Sequence, residues 1–353
     1  MPLAVLLSGT LLYAALYSTV PLLPGLERLF GAPPGSAGLG ISLPFLALVL
    51  LSPLVPRLRL PVGRVLGGGL LLVGLFGVAA ALAPGLEAWL VARALQGAAA
   101  AAVPGLSLAL LPRLFPNRAP EMAGLWVAGN VLGGGLGRAL GGFLADAFGE
   151  RLALLLLTLP VMLPAFWLLR ERGTLALSAP RYSLSAWPLY WVGFSLLFVN
   201  FFVANLLPYR LEALGLSQAQ IGGVMLAYLA GIPGSALTGR LVARFGEAGA
   251  LRLAFAVVAA GLLLQLPDRP GFIVPGFVLV MAGLFTAQGL GGAVSGRRGS
   301  GVSGTYVAAF YLGGTAAGLA YPPFLHLGVG LGLGLAGLVT ASAAVLAGRA
   351  VRE

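Results

Sequence analysis

Long apolar runs alternate with short breaks from one end of the chain to the other. Runs near the roughly 20 residues that a helix needs to cross hydrocarbon predict twelve helices. They fall over 3–23, 37–56, 64–84, 88–111, 121–145, 151–169, 187–207, 219–238, 250–267, 271–293, 301–324 and 328–348. The breaks hold Arg, Pro or Gly, the residues that end helices and turn chains. The longest break, 170–186, contains Arg170, Glu171, Arg172 and Arg181 and divides the chain nearly in half. The pattern therefore predicts an all-α polytopic membrane protein. A six-helix bundle over 1–169 and another over 187–353 would be joined by a cytoplasmic linker at 170–186.

Composition removes the other classes. The 353 residues are 59% hydrophobic and only 9% charged, with a mean hydropathy of +0.99. A soluble domain carries about a quarter charged residues, so a water-facing surface could not be covered. Disorder is excluded because it needs low hydrophobicity and high charge. There is no cysteine, hence no disulfide, thiolate nucleophile or Cys-bound metal. The single histidine, His326, rules out a His-based metal or proton-relay cluster. No cofactor and no metal are expected.

All 21 basic residues are Arg, giving a net charge of +11. They lie between apolar runs, which reads as membrane orientation rather than nucleic-acid binding. One set of alternate loops holds fifteen: Arg57, Arg59, Arg64, Arg113, Arg118, Arg170, Arg172, Arg181, Arg240, Arg244, Arg252, Arg297, Arg298, Arg349 and Arg352. The other set holds four: Arg28, Arg151, Arg210 and Arg269. Arg93 and Arg138 fall inside spans. This bias places both termini and the middle loop in the cytoplasm, in a multi-pass protein of the cytoplasmic (inner) membrane. Glu27, Glu87, Asp146, Glu150, Glu212 and Asp268 collect on the opposite face. No basic stretch precedes the first apolar run, so a cleaved signal peptide is not expected.

The halves repeat one another. Leu22-Leu23-Pro24 recurs as Leu206-Leu207-Pro208, and Gly38 as Gly222, an offset of 184. Leu132-Gly133-Gly134 recurs as Leu312-Gly313-Gly314 at 180, and Phe143-Leu144 as Phe324-Leu325 at 181. The matches occupy like places in each six-helix half. Parallel repeats about an axis along the membrane normal are a transporter architecture, with the substrate near the midplane between the halves.

Several stretches then resemble the major facilitator superfamily, over essentially the full chain, and in particular its bacterial multidrug- or sugar-efflux proton-antiporter branch. Arg93-Ala-Leu-Gln96-Gly97 is similar to the family's R-x-x-Q-G motif. Ala128 through Arg138, with Gly129, Asn130, Gly133, Gly134, Gly135 and Gly137, resembles the Gly-rich exporter signature in the variant with an in-helix Arg. Gly239-Arg240-Leu241-Val242-Ala243-Arg244-Phe245-Gly246 resembles the G-x-L-x-D-R-x-G loop motif. Its first-half copy is Ser52 to Arg57, followed by Gly63-Arg64. The motif's Asp is absent from both copies, where Ala243 and Pro56 stand. The latch that this Asp helps form in the family is thus in doubt here. Arg57, Arg64, Arg240 and Arg244 remain as gating candidates that could bind helix C-terminal carbonyls or anionic headgroups.

Candidate transport residues follow. Arg138 lies inside the fifth span, where a charge costs at least ~2.5–3.5 kcal/mol on insertion scales. It should face the bundle interior or a watery cavity, either as a substrate or coupling group or as a brace on carbonyls. The resemblance implies proton relay for Arg93, and its plain alternative is packing against the first helix. No carboxylate sits at a span centre. Glu27, Asp146 and Glu212, near the external ends, are the available proton carriers, and solvated loop acids are the plainer reading of each. Neutral polar and aromatic groups near the midplane are substrate candidates: Tyr13, Tyr17, Asn130, Asn200, Phe201, Gln288, Tyr306 and Tyr311. Apolar walls with sparse hydrogen-bonding groups suit amphipathic organic molecules.

Two motifs are set aside. Gly332-Leu-Gly334-Leu-Ala-Gly337 fits the dinucleotide fingerprint but lacks a strand before it. Gly301-Val-Ser303-Gly304 resembles an intramembrane serine protease motif, with His326 as base. At 23 residues apart on one predicted helix, the pair would be roughly 35 Å apart, far beyond catalytic reach. The expectation is a transporter and not an enzyme: a monomer that exports small amphipathic molecules by alternating access, with protons as coupling ion and lipids as neighbours. The alternative is an anionic organic or lipid substrate, with Arg138 as counter-charge and no proton coupling.

Overall fold

A computed structural model describes residues 2–58, 60–173 and 182–352. Among the described residues every regular element is helical. The crossings are α1 (Pro2–Phe30), α2 (Ser36–Val55), α3 (Val62–Ala81), α4 (Leu86–Leu114), α5 (Ala119–Phe148) and α6 (Glu150–Leu168). They continue with α7 (Trp187–Ala213), α8 (218–245), α9 (247–264), α10 (Pro270–Arg297), α11 (Ser300–Ala320) and α12 (Val329–Arg352). Nine described stretches are apolar and long enough to cross a membrane, and one of these, Gln218–Leu264, is 47 residues long. It breaks at Gly246 (φ 67°), so it supplies both α8 and α9. The less apolar α5 and α11 carry glycine and polar residues where the others carry leucine. At 1.5 Å per residue they are still ~45 and ~31 Å long, enough for the ~30 Å hydrocarbon layer. The predicted twelve-helix architecture is the observed one.

Proline and glycine shape the helices from within. A 3-10 turn at Val20–Leu22 sits where Pro21 lacks an N–H, and α1 continues beyond it to Phe30 instead of stopping near 23. Gly149 (φ 80°) is the whole joint between α5 and α6, a left-handed position that an L side chain would strain. The predicted helix over 301–324 ends at Ala320, and Phe324–Leu327 forms a separate turn.

The chain divides into two compact units, Met1–Ala179 with Ser217–Leu226, and Pro180–Leu216 with Ala227–Glu353. The first part of α8 thus packs with the first unit. There the Cβ of a larger residue at Gly142 would meet Gly222, so α5 and α8 touch through backbone. Arg59 and residues 174–181 of the expected linker lie outside the described residues, and Arg181 is among them.

Glycine sets the central crossing of each unit. A Cβ at Gly133, Gly137 or Gly141 on α5 would run into the carbonyls of Thr10, Ala14 and Ser18 on α1. In the second unit Gly313 lies on the Phe194 carbonyl, and Gly314 on the side chains of Leu197 and Phe201. Thr10 and Phe194 are 184 apart and Gly133 and Gly313 are 180 apart, the offsets seen in the sequence. Gly134 on Tyr17 and Gly314 on Phe201 form the next matching pair. The repeat therefore holds at these two contacts, whereas the positions that answer to Gly137 and Gly141 are Ala317 and Tyr321. Small residues permit this approach because helices in lipid associate by close packing rather than by hydrophobic exclusion.

Candidate substrate and coupling sites

In the first unit, α1 and α5 build an aromatic and cationic cluster. Tyr13 and Tyr17, one turn apart on α1, have ring centroids at 5.5 Å. Tyr17 stacks on Phe45 of α2, also at 5.5 Å. The Arg138 guanidinium carbon lies 4.0 Å from the centre of the Tyr17 ring. Its Nη1 donates to the Gly134 carbonyl one turn back at 2.9 Å. Arg138 is 1% exposed. The absence of a side chain at Gly134 lets the guanidinium and the phenol meet, since a Cβ there would lie 2.7 Å from the Tyr17 ring. Trp126, Asn130, Gly134 and Arg138 recur every four residues and so share one face of α5. Trp126 donates to Ser8 (3.4 Å), which shares a hydrogen bond with Ser107 of α4 (3.0 Å). The Asn130 Oδ1 is buried against Gly9 of α1.

Arg93 is also buried, at 2% exposure. Its Nε donates to the Gly40 carbonyl of α2 (2.9 Å), its Nη2 to the Leu16 carbonyl of α1 (2.8 Å), and its Nη1 to Gln96. Gln96 in turn donates to Val73 of α3 at 3.2 Å. The R-x-x-Q-G stretch thus ties four helices together through carbonyls, the packing role weighed above for Arg93.

The acids separate. Glu27 is buried rather than solvated, and its Oε1 accepts the Ala37 N–H at 2.9 Å, at the entry to α2. The solvated reading fails for it because α1 continues past Pro21 and carries Glu27 into the packed interior. Asp146 is exposed and accepts the Ala219 N–H at 3.3 Å, in the first turn of α8. Glu150 accepts from Gln218 at 2.9 Å beside it. Glu212 is half-buried near the end of α7.

In the second unit Asn200 accepts a hydrogen bond from Tyr228 (2.6 Å) and directs its amide N–H at the Met281 sulfur (3.8 Å). Tyr228 meets Phe277 and Phe285 edge-on. Phe201 is enclosed against Gly314, and the Tyr306 ring lies on Gly193 with its hydroxyl at Gly291. Both are interior packing positions. Gln288 and Tyr311 are half-buried. Arg57, Arg64, Arg240 and Arg244 are all exposed, and Arg244 lies over the neighbouring Phe245 ring at 5.4 Å. Arg210, counted above with a loop, is buried in α7. It donates to Asp268 (2.7 Å) and to the carbonyls of Gln265, Leu266 and Pro267. Ser303 lies in the first turn of α11 and His326 is exposed beyond its other end, so they form no catalytic pair.

Phe45, Tyr228, Met281 and the Ser8–Ser107 pair did not stand out in the sequence. Each is a common apolar or small residue whose role depends on a neighbour distant along the chain.

A bundle of long apolar helices in two repeated units, with buried arginines and aromatic clusters at the helix crossings, is the architecture of a membrane transporter. The family model described as Major Facilitator Superfamily matches residues 5–322, and the chain belongs to that family. It is 28% identical over 348 residues to the inner membrane transport protein YnfM of Escherichia coli (strain K12), covering 92% of this chain and 84% of that one. It is 26% identical over 346 residues to the uncharacterized MFS-type transporter YybF of Bacillus subtilis (strain 168), covering 90% and 85%. Among solved structures it is similar in fold to a D-xylose–proton symporter, at a TM-score of 0.78 and 15% identity, over 98% of this chain and 96% of that one. A bacterial homologue of the human lysosomal transporter Spinster, inward-facing and occupied, gives a TM-score of 0.73 at 16% identity, over 99% and 94%.

Proposed function

We propose that this transporter exports small amphipathic organic molecules that carry an acidic group, by alternating access, and that Arg138 on the Tyr17 ring holds the acidic end. The carrying observation is the placement of a buried guanidinium on an aromatic face inside the first unit. Arg93 and Arg210 each reach carbonyls of neighbouring segments, the geometry of a brace. Arg138 lies across the Tyr17 ring and donates to the Gly134 carbonyl of its own helix. A guanidinium offers a planar fork of donors suited to a carboxylate or phosphate. The Tyr13, Tyr17 and Phe45 rings beside it suit an apolar body. The outward direction rests on the exporter-like glycine stretch of α5.

A second reading is proton-coupled export of neutral or cationic amphiphiles. The carboxyl of Glu27, buried where α1 meets the entry to α2 and accepting the Ala37 N–H, is the acid that favours it. The fold likeness to a sugar–proton symporter supports the same reading.

Flux into proteoliposomes separates the two. With an aromatic carboxylate as substrate and no pH gradient, Arg138→Gln should lower uptake about tenfold or more, as removal of one charge-assisted bond predicts. Arg138→Lys should retain part of the flux. Unchanged flux in Arg138→Gln would remove the proposed site. Transport that appears only with a pH gradient and disappears in Glu27→Gln would establish the second reading instead.

A further inference from the structure

The arginine-rich end of the second unit has a feature that substrate handling does not use. Arg252 stands in the second turn of α9, with its Nη2 2.9 Å from where a Cβ at Gly348 would lie. The missing side chain lets the guanidinium rest directly on the last turns of α12. Arg349 and Arg352 follow on α12, and all three arginines are exposed. Among the described residues none of the three pairs with a carboxylate. Glu247, the acid at the start of α9, is taken by Arg297.

The surface beyond these arginines is apolar and low. On α12, Gly334, Gly337, Ala341, Ala344, Gly348 and Arg352 follow helical spacing and share the face that meets Arg252. A Cβ at Gly334 or Gly337 would meet nothing within 4 Å. On α9, Ala256 and Leu263 continue the line of Arg252 and are exposed. Leu338 and Val345 stand to one side, 71% and 76% exposed. The seam is thus a small-residue trough that opens at one end on unpaired guanidiniums.

We propose that this seam between α9 and α12 is a binding site for an anionic phospholipid. Arg252 and Arg352 hold its phosphate, Arg349 adds charge at the rim, and an acyl chain lies along the Ala/Gly trough. Charge complementarity selects this occupant. Basic pockets between membrane helices take anionic headgroups, and the trough offers an acyl chain a surface without polar groups.

The test is native mass spectrometry of the full chain in detergent, titrated with phosphatidylglycerol, phosphatidylcholine or inorganic phosphate. Phosphatidylglycerol should remain bound in preference to phosphatidylcholine. Arg252→Gln with Arg352→Gln should weaken that binding by about tenfold or more, two headgroup contacts being lost. Gly348→Leu, which keeps every charge but fills the space under Arg252, should weaken it as well. Arg113→Gln with Arg172→Gln, exposed arginines of the first unit, should leave it unchanged. Equal losses in both double variants would reduce the effect to general surface charge and overturn the site. Competition by inorganic phosphate at matching concentration would overturn the lipid assignment.

Discussion

The α1–α5 crossing of the first unit and the α7–α11 crossing of the second share one backbone design and differ in chemistry. In both, a glycine lies on a carbonyl of the partner helix, Gly133 on Thr10 and Gly313 on Phe194. In both, the next glycine faces an aromatic ring, that of Tyr17 or Phe201. Four residues further along, the first unit has Arg138 and the second has Gly318. Facing them, the first unit sets hydroxyls: Ser8, Thr10, Tyr13 and Tyr17. The second sets Leu197 and Phe201 on Gly314, and beside the crossing, on the side of α7 toward α12, a column of rings in which Phe194, Phe198 and Phe202 stack at 5.7 and 5.5 Å. The repeated glycines fix where the helices cross, and the side chains around them are free to diverge. The first unit took charge and hydroxyls, and the second took aromatic packing, with its polar node moved to Asn200, Tyr228 and Met281.

The comparison can be broken at the shared element first. Gly133→Leu and Gly313→Leu should each lose about 3 kcal/mol or fail to accumulate, because overpacked crossings must separate their backbones. The check is thermal unfolding in detergent, and a mild effect at either position would show that the two crossings are not equivalent. The difference between the units is sharpened next by Tyr228→Phe. It leaves the Asn200 carbonyl without its hydroxyl donor and should cost about 1–3 kcal/mol by the same assay. No loss would mean that the node contributes little to the second unit. The smallest effect is expected outside both crossings, at the exposed Arg118–Glu121 pair before and at the start of α5. Glu121→Gln should change stability by less than ~1 kcal/mol, and a larger shift would place that end of α5 among the elements that hold the crossing.

Much of this was legible in the sequence, because apolar length and repeated glycine spacing are local signals. The twelve crossings, the offset of 184 linking α1 to α7 and the glycine stretch of α5 all belong to that group. Arg210 was not, since an arginine near the end of an apolar run reads as a loop residue. Its place inside α7 depends on Asp268 and three carbonyls some 55 to 58 residues away. Glu27 was a candidate, but its burial was missed for a related reason. Pro21 suggests a helix end, yet the 3-10 turn there absorbs the missing N–H and the chain stays helical. Of the site candidates, Tyr13, Tyr17 and Arg138 come together. Phe201 and Tyr306 lie in helix crossings because the glycines that receive them, Gly314, Gly193 and Gly291, are on other parts of the chain.

The glycine contacts between α1 and α5 also bear on how cargo could arrive. With backbone resting on backbone at Gly133, Gly137 and Gly141, the seam is too thin to admit a hydrocarbon tail. A molecule dissolved in the bilayer has no lateral doorway there to Tyr17 and Arg138, and cargo held by them as proposed would have to arrive by another route.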